Sequence, residues 1–445
     1  MGDFVVTDFG AAGDGTTADT AAIQRAIDAC HAQGGGRVVL PAGRTFLSGS
    51  IALRARVELH VEPGATLLAS GNGDDYTIPI TSANRRPFIS ADGADDIAVT
   101  GAGVIDGNGR AFVQERLPHI YVMKRRRPKT FLFLGCRRVT FRDVTIRDGA
   151  SWTVRLSGCE DVVIHGVRIY NDLKLPNSDA IDLDRCRNVR ISDCHIESGD
   201  DCICLKALAE TDGHGPCENV TVTGCTLVST SAALIIGCEC RAPIRNVVFD
   251  ACVITRSHRG LAVHLSEGCD VENVTFSNMI VETRLFHSKW WGRAEPIYVT
   301  AIPWTAETPI GRVQNVRFVN VLCRSENGVF IQGWEPSRVD GLLLENVRVE
   351  LDRWTKLPGG EHDIRPYPQD PGGPGAVGVG VYAHPTAGFY LKNARDVTLR
   401  HCEVVWQSSP EYFRHAVESH NVEQLVLDDV RGDAAHQQFP AIVQD

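Results

Sequence analysis

The chain has 445 residues, 43% of them hydrophobic, and carries 45 Lys and Arg against 55 Asp and Glu, for a formal net charge of −10. That acidic balance argues against nucleic acid or an anionic membrane as a partner held by long-range electrostatics, and no stretch is long and apolar enough to span a bilayer. The 15 cysteines are odd in number and show no metal-ligand spacing, so reduced, buried thiols of a cytosolic protein are expected.

Met1 to Gly10 lacks a basic segment followed by an apolar core. No signal peptide is read there, and a cytoplasmic location is expected, with a removed leader as the alternative. Thr17-Ala18-Asp19-Thr20 then leads into Ala21 to Cys30, which reads as a capped amphipathic helix ending near Gly34-Gly35-Gly36. Val38-Val39-Leu40-Pro41-Ala42-Gly43 starts the strands. Such a helix would plug the open end of a solenoid and protect its first edge. The basic run Lys124-Arg125-Arg126-Arg127 reads as a solvated loop.

From Val139 onward one pattern recurs: a polar or Asn position, an alternating apolar strand, a small or polar residue, then another strand. The repeat valines are Val139, Val162, Val189, Val220, Val247, Val274 and Val316, separated by 23, 27, 31, 27, 27 and 42 residues. A period in this range signals stacked supersecondary units. The strands are short, of period 2 and rich in Val, Ile, Thr and Phe, with almost no helical periodicity. A leucine-rich repeat would show regular Leu positions and a helical segment, and propeller blades would be longer and more uniform. The expected fold is therefore all-β: a single-stranded right-handed parallel β-helix with an N-terminal capping helix, forming one domain over 1–445. Residues 1–45 make the cap and first strands, and 350–385, rich in Pro and Gly, makes a long loop insertion.

Five residues after the repeat valines come Val144, Val167, Cys194, Cys225, Cys252, Met279 and Val321, with Cys402 placed likewise after Val397. These form an expected inward ladder, which makes the cysteines structural. Aligning strands by their apolar pairs sets Val154/Leu156, Ile181/Leu183, Ile203/Leu205, Leu234/Ile236, Leu261/Val263 and Ile297/Val299 in register. Two residues before each pair stand Trp152, Asp179, Asp201, Ala232, Arg259 and Glu295; just after each stand Ser157, Asp184, Lys206, Gly237, His264 and Thr300. Coils of a sheet lie about 4.8 Å apart, so Asp179 and Asp201 are expected as neighbours. Asp200 follows Gly199, where a bend can turn it toward the same cleft.

Three converging carboxylates repel one another and keep a proton available. Glycoside hydrolysis needs that division of labour: an acid for the leaving oxygen and an ionised carboxylate to activate water or attack carbon. Taken singly, each aspartate reads as a strand cap; the convergence of three favours catalysis. Calcium is the other use of such a cluster, and Lys206 beside it argues against a cation, so neither a metal nor a cofactor is expected.

At Asn177-Ser178-Asp179 and Gly199-Asp200-Asp201-Cys202-Ile203-Cys204-Leu205-Lys206 the chain resembles the polygalacturonase family, glycoside hydrolase family 28. Asp8-Phe9-Gly10, Gly13-Asp14-Gly15 and Leu40-Pro41-Ala42-Gly43 are similar to the start of that family and of related pectin-acting β-helices. By motif placement the similarity covers roughly residues 4 to 300. It implies inversion, with Asp200 as general acid and Asp179 and Asp201 positioning the attacking water. Downstream the chain departs from the family pattern. Ser229-Thr230-Ser231-Ala232-Ala233 stands where the family has Gly-His-Gly, and the Gly-His-Gly around His214 falls in a loop. Ala262-Val263-His264 replaces the uronate-gripping Arg-Ile-Lys, and Glu295-Pro296-Ile297-Tyr298-Val299-Thr300 replaces the usual tyrosine strand.

These departures keep the hydrolytic carboxylates and remove much of the anion-gripping set, which points away from plain polygalacturonan. Asn177 and Lys206 belong to the retained motifs. Arg259, His264, Lys289 and Arg293, with Glu295 beside them, offer a different acid-binding arrangement, or else the sugar is neutral or mixed. Trp290 and Trp291, with Trp304 and Trp334, are candidates to stack on sugar faces. The expected activity is an inverting, exo-acting glycosidase on pectin-derived or related oligosaccharides. The alternatives are a polysaccharide lyase or transglycosylase on the same scaffold, or a non-catalytic carbohydrate-binding β-helix.

Overall fold

The repeat valines stack in register, which fixes the architecture. In a computed structural model describing residues 2–80, 86–287, 290–305, 307–335, 338–365 and 380–445, Val139 pairs with Val162 and Val162 with Val189 in parallel ladders. Later in the chain Val220, Val247, Val274 and Val316 pair in the same way. The chain folds as a right-handed parallel β-helix, the hand that parallel crossovers take in nearly all proteins. Its contacts divide into two compact units: one runs to Ile203 and takes in Ala209–Gly215, the other comprises Cys204–Leu208 and Pro216–Asp445. Among the described residues no helix is long and apolar enough to cross a membrane.

In the first unit each coil supplies three short strands. Phe131–Leu134, Val154–Ser157 and Ile181–Asp184 make one parallel face, Arg137–Arg142, Glu160–His165 and Arg187–Ser192 a second, and Thr145–Arg147, Arg168–Tyr170 and His195–Ser198 a third. Alternate side chains point inward, and Phe131, Phe133 and Phe141 fill the interior at ring separations of 5.2–5.9 Å. The capping helix α1, Thr20–Ala32, buries Ala22, Ile23, Ala26, Ile27 and Cys30. Its N-cap differs from the sequence expectation. The Asp19 carboxylate accepts hydrogen bonds from the backbone of Ala12 and Gly13, just ahead of the strand Asp14–Ala18, at 2.6 and 3.1 Å and makes no bond to the helix.

The second unit shows why Asn recurs at the bends. Asn219, Asn246, Asn273 and Asn315 all take φ of 53–58°, a left-handed conformation that Asn tolerates better than most residues. Their amides then chain together, Asn246 to Asn219 at 3.1 Å, Asn273 to Asn246 at 3.2 Å and Asn315 to Asn273 at 2.7 Å. Inside, Phe249, Phe276 and Phe318 stack face to face at 4.7 and 4.9 Å. The cysteines are free thiols, buried except for the partly exposed Cys238 and Cys269. The insertion leaves the repeat after Leu351 and adds an antiparallel pair, Glu361–Asp363 with Val381–Ala383. The buried carboxylate of Glu326 anchors its root by accepting from the backbone of Trp354 and Thr355 at 3.0 and 2.7 Å.

Candidate active site

Asp179, Asp200 and Asp201 belong to the first unit, and the ladder that brings them together is explicit. The Thr153 N–H donates to the Asp179 carbonyl at 2.7 Å and the Ala180 N–H to the Asp201 carbonyl at 2.8 Å, so Asp179 and Asp201 occupy equivalent places on successive coils. Asn177 enters this strand at φ 53°. Between the two coils the chain bends at Gly199, where a Cβ would lie 2.4 Å from the Leu175 carbonyl oxygen and 2.8 Å from that of Asp172; only glycine fits. The bend turns Asp200 inward, and its two oxygens accept from the Asn177 and Asp201 N–H groups, each at 3.1 Å. Asn171 and the hydroxyls of Ser178 and Ser198 brace the backbone beneath. One oxygen from each of the three aspartates falls within 4.8 Å of the others, and the residues are only 3–8% exposed.

Arg127 is the neighbour that the sequence reading did not anticipate. It leaves the basic run, and its guanidinium donates to the carbonyls of Ala150 and Pro176, each at 2.7 Å, and to the Asn177 side chain at 2.9 Å. Burial pulls its proton affinity below the ordinary value, while the charges of Asp179 and Asp200 pull it back up. Arginine stays protonated through such shifts, so a fixed cation faces the cluster. Arg125 and Arg126 remain exposed, as expected of a solvated loop. Asn177 thus has its backbone N–H on Asp200 and its side chain on Arg127. Asp184 is a structural pair, bound to the fully buried Arg155 at 3.1 Å and to Ser157 and Thr211.

The remaining candidates belong to the second unit. Lys206 is 6% exposed and stands 3.7 Å from Glu239. Arg259 and Glu295 form a buried ion pair at 3.3 Å, with Asp363 of the insertion 3.8 Å from the same guanidinium and Tyr298 stacked 3.5 Å beneath it. Burial alone would weaken the Arg259 charge, but Glu295 and Asp363 hold it above its ordinary strength. Arg293 pairs with Glu361 at 2.7 Å, and Arg365 with Asp363 at 2.8 Å. Burial and Arg259 bring the His264 pKa down to about 3, which makes it a neutral ring set edge-on to Tyr298 at 5.6 Å. His258 behind them is likewise buried and neutral, displaced by burial, Arg293 and Arg259.

The structure therefore brings Arg259, His264, Arg293 and Glu295 together, and supplies them with paired carboxylates from the insertion. Trp290 and Trp291 are half-buried at the margin: the Trp290 carbonyl accepts from Arg293 and Arg365, and Arg365 lies 5.0 Å over the Trp291 ring. Trp304 is half-buried and Trp334 is exposed. Lys289 lies outside the described residues. Asp363 and Arg365 had no signal in the repeat, since they lie in the segment that breaks it.

A family model, Glycosyl hydrolases family 28, matches residues 30–350. A probable polygalacturonase of Vitis vinifera is 29% identical over 62% of this chain and 60% of its own length. An exo-poly-alpha-D-galacturonosidase of Dickeya chrysanthemi is 27% identical over 58% of this chain and 51% of its own. The chain thus spans little more than half of these relatives. A family 28 exopolygalacturonase structure from Yersinia enterocolitica superposes with a TM-score of 0.72 at 21% identity, covering 96% of this chain and 78% of that one. With the match over residues 30–350 and the aspartate cluster inside it, the chain belongs to glycosyl hydrolases family 28.

Proposed function

We propose that the protein is an exo-acting glycoside hydrolase that cleaves pectin-derived oligosaccharides with inversion. The observation that carries this reading is the convergence of three buried aspartate oxygens within 4.8 Å. Asp200, held by two backbone N–H groups, gives its proton to the departing glycosidic oxygen. Asp179 and Asp201, on successive coils, hold one water between them and take its proton as it attacks the anomeric carbon. For two facing carboxyl groups, inversion goes with separations of about 6.5–9.5 Å and retention with about 5–5.5 Å. With three carboxylates rather than two, a pair can share the attacking water while the third acts as acid. The exo mode is supported by the Dickeya relative, whose name states it. The free thiols favour a reducing compartment.

The test is to digest oligogalacturonides in H₂¹⁸O with wild type and Asp200→Asn. Mass spectrometry follows the label, and NMR reads the anomer first released. Labelled mono- or disaccharide from one chain end, in inverted form, is expected, with turnover falling about 10²–10⁴-fold in the variant. An unlabelled, unsaturated product would replace hydrolysis by elimination, and a retained anomer would reassign Asp179 or Asp201 as a nucleophile.

A further inference from the structure

Late in the chain the second unit gathers a different set of donors. Glu418 and His420 are alternate residues of the strand Val417–Asp428 and share a face, paired with Tyr390 and Lys392 of the preceding coil. His384 follows the insertion strand Val381–Ala383 and reaches the same place. One ligand atom from each of His384, Glu418 and His420 lies within 4.8 Å of the other two.

The hydrogen bonds fix which nitrogens face inward. His384 Nδ1 lies 2.7 Å from the Pro385 carbonyl oxygen, and His420 Nδ1 lies 2.5 Å from a carboxylate oxygen of Asp445. Both outer partners are acceptors, so both Nδ1 atoms carry protons. In neutral rings the two Nε2 lone pairs then point at an acceptor, Glu418 Oε1, at 3.3 and 2.8 Å. Three lone pairs facing one another need a positive charge between them. The other carboxylate oxygen, Glu418 Oε2, is buried and has no hydrogen-bond partner among the described residues, and Glu418 itself is 6% exposed. Ring contacts with Tyr390, at 5.0 Å for His384 and 5.9 Å for His420, hold the imidazoles in place. The cluster opens on a cleft of about 710 Å³, where the carboxylates of Glu423 and Asp445 outweigh the ammonium of Lys392.

We propose that His384 Nε2, His420 Nε2 and the Glu418 carboxylate bind a divalent transition-metal ion of the zinc class, with a fourth position open to the cleft. Tetrahedral zinc with bonds of about 2.0–2.1 Å spaces its ligands about 3.3 Å apart; His384 Nε2 already stands at that distance from Glu418 Oε1, and His420 Nε2, at 2.8 Å, has to withdraw by about 0.5 Å to admit the ion. Asp445 and the Pro385 carbonyl stand where outer partners orient metal-bound imidazoles and fix their tautomer. The site is independent of the aspartate cluster and of the hydrolytic reading.

The probe is Zn²⁺, titrated calorimetrically into the chelator-stripped full-length chain, with bound metal counted by elemental analysis. One ion per chain is expected for wild type and for Asp201→Asn, none for His384→Ala/His420→Ala. Asp445→Asn, which keeps all three ligands, should bind about 10–100-fold more weakly. Replacing Zn²⁺ with Co²⁺ should give a tetrahedral visible band without thiolate charge transfer, which separates this site from the cysteines. If the double variant does not fold, Asp445→Asn and the Co²⁺ spectrum carry the test. Failure of wild type to hold a stoichiometric ion would overturn the proposal and assign the positive charge to protonated imidazoles. So would binding that survives in the folded double variant, or a thiolate-type spectrum.

Discussion

At the residue scale, Arg127 acts on the cluster in two ways that substitution can separate. Its charge opposes protonation of Asp179 and Asp200, and its fork ties Asn177, whose N–H in turn holds Asp200. Arg127→Lys keeps the charge and loses the fork; Arg127→Met loses both. A hydrogen bond to a charged group is worth about 1.5–3 kcal/mol, so kcat should fall roughly 10–100-fold in both variants. Only Arg127→Met should move the acid limb of the pH–rate profile to higher pH, because removing a cation lets the carboxylates hold protons more tightly. An unmoved limb in Arg127→Met would leave the arginine a purely mechanical part. Gly199 makes a harsher demand. The backbone oxygens 2.4 and 2.8 Å from its missing Cβ have nowhere to go without shifting the chain that bears Asp200. Gly199→Ala should lower unfolding stability by about 1–3 kcal/mol and abolish most turnover. Full turnover with unchanged urea unfolding would show that the bend relaxes freely.

At the element scale, the asparagine bends explain both what was legible in the sequence and what was not. A residue that must be left-handed and also bond its counterpart one coil away leaves a periodic mark, and so did the valines that now pair in register. The helix α1 was readable from its own amphipathic spacing. Asp179 and Asp201 could be juxtaposed for the same reason, since a parallel ladder turns sequence alignment into distance. Arg127, Asp363 and Arg365 escaped because their partners lie at separations that no period links: Arg127 meets Asn177 of the next coils, and Asp363 meets Gly292 across 71 residues. A basic run does not reveal which of its arginines folds inward. The ladder itself can be weighed. Asn273→Ala loses two amide bonds and places a Cβ-bearing residue at φ 56° without local compensation, which should cost about 1–2 kcal/mol. Asn273→Gly loses the same bonds but accepts the conformation, so it should cost less. Equal losses in urea unfolding would assign the whole effect to the hydrogen bonds.

At the scale of the whole molecule, the buried charges of the second unit tie stability to pH. Burial and Arg259 bring the His264 pKa down to about 3 in the folded chain, against about 6.5 for an unperturbed imidazole, and His258 is displaced in the same direction. Between those values the unfolded chain binds protons that the folded chain refuses, so stability is complete above pH 6.5 and drains away as pH falls toward 3. Each such histidine contributes a slope approaching about 1.4 kcal/mol per pH unit in that window. Asp363 adds to the loss at still lower pH: despite its burial, Arg365 and Arg259 hold its carboxyl well below the ordinary range, so protonating it breaks the pairs that bind the insertion. The two effects occupy different windows and can be told apart. His264→Gln removes one proton uptake from the upper window and leaves Asp363 untouched. Urea midpoints measured at pH 7 and pH 4.5 should therefore differ less in the variant than in wild type, even if the variant is weaker at pH 7. An identical pH dependence would mean that His264 takes up its proton in the folded state, and that the charge balance around Arg259 is looser than its pairing with Glu295 and Asp363 implies.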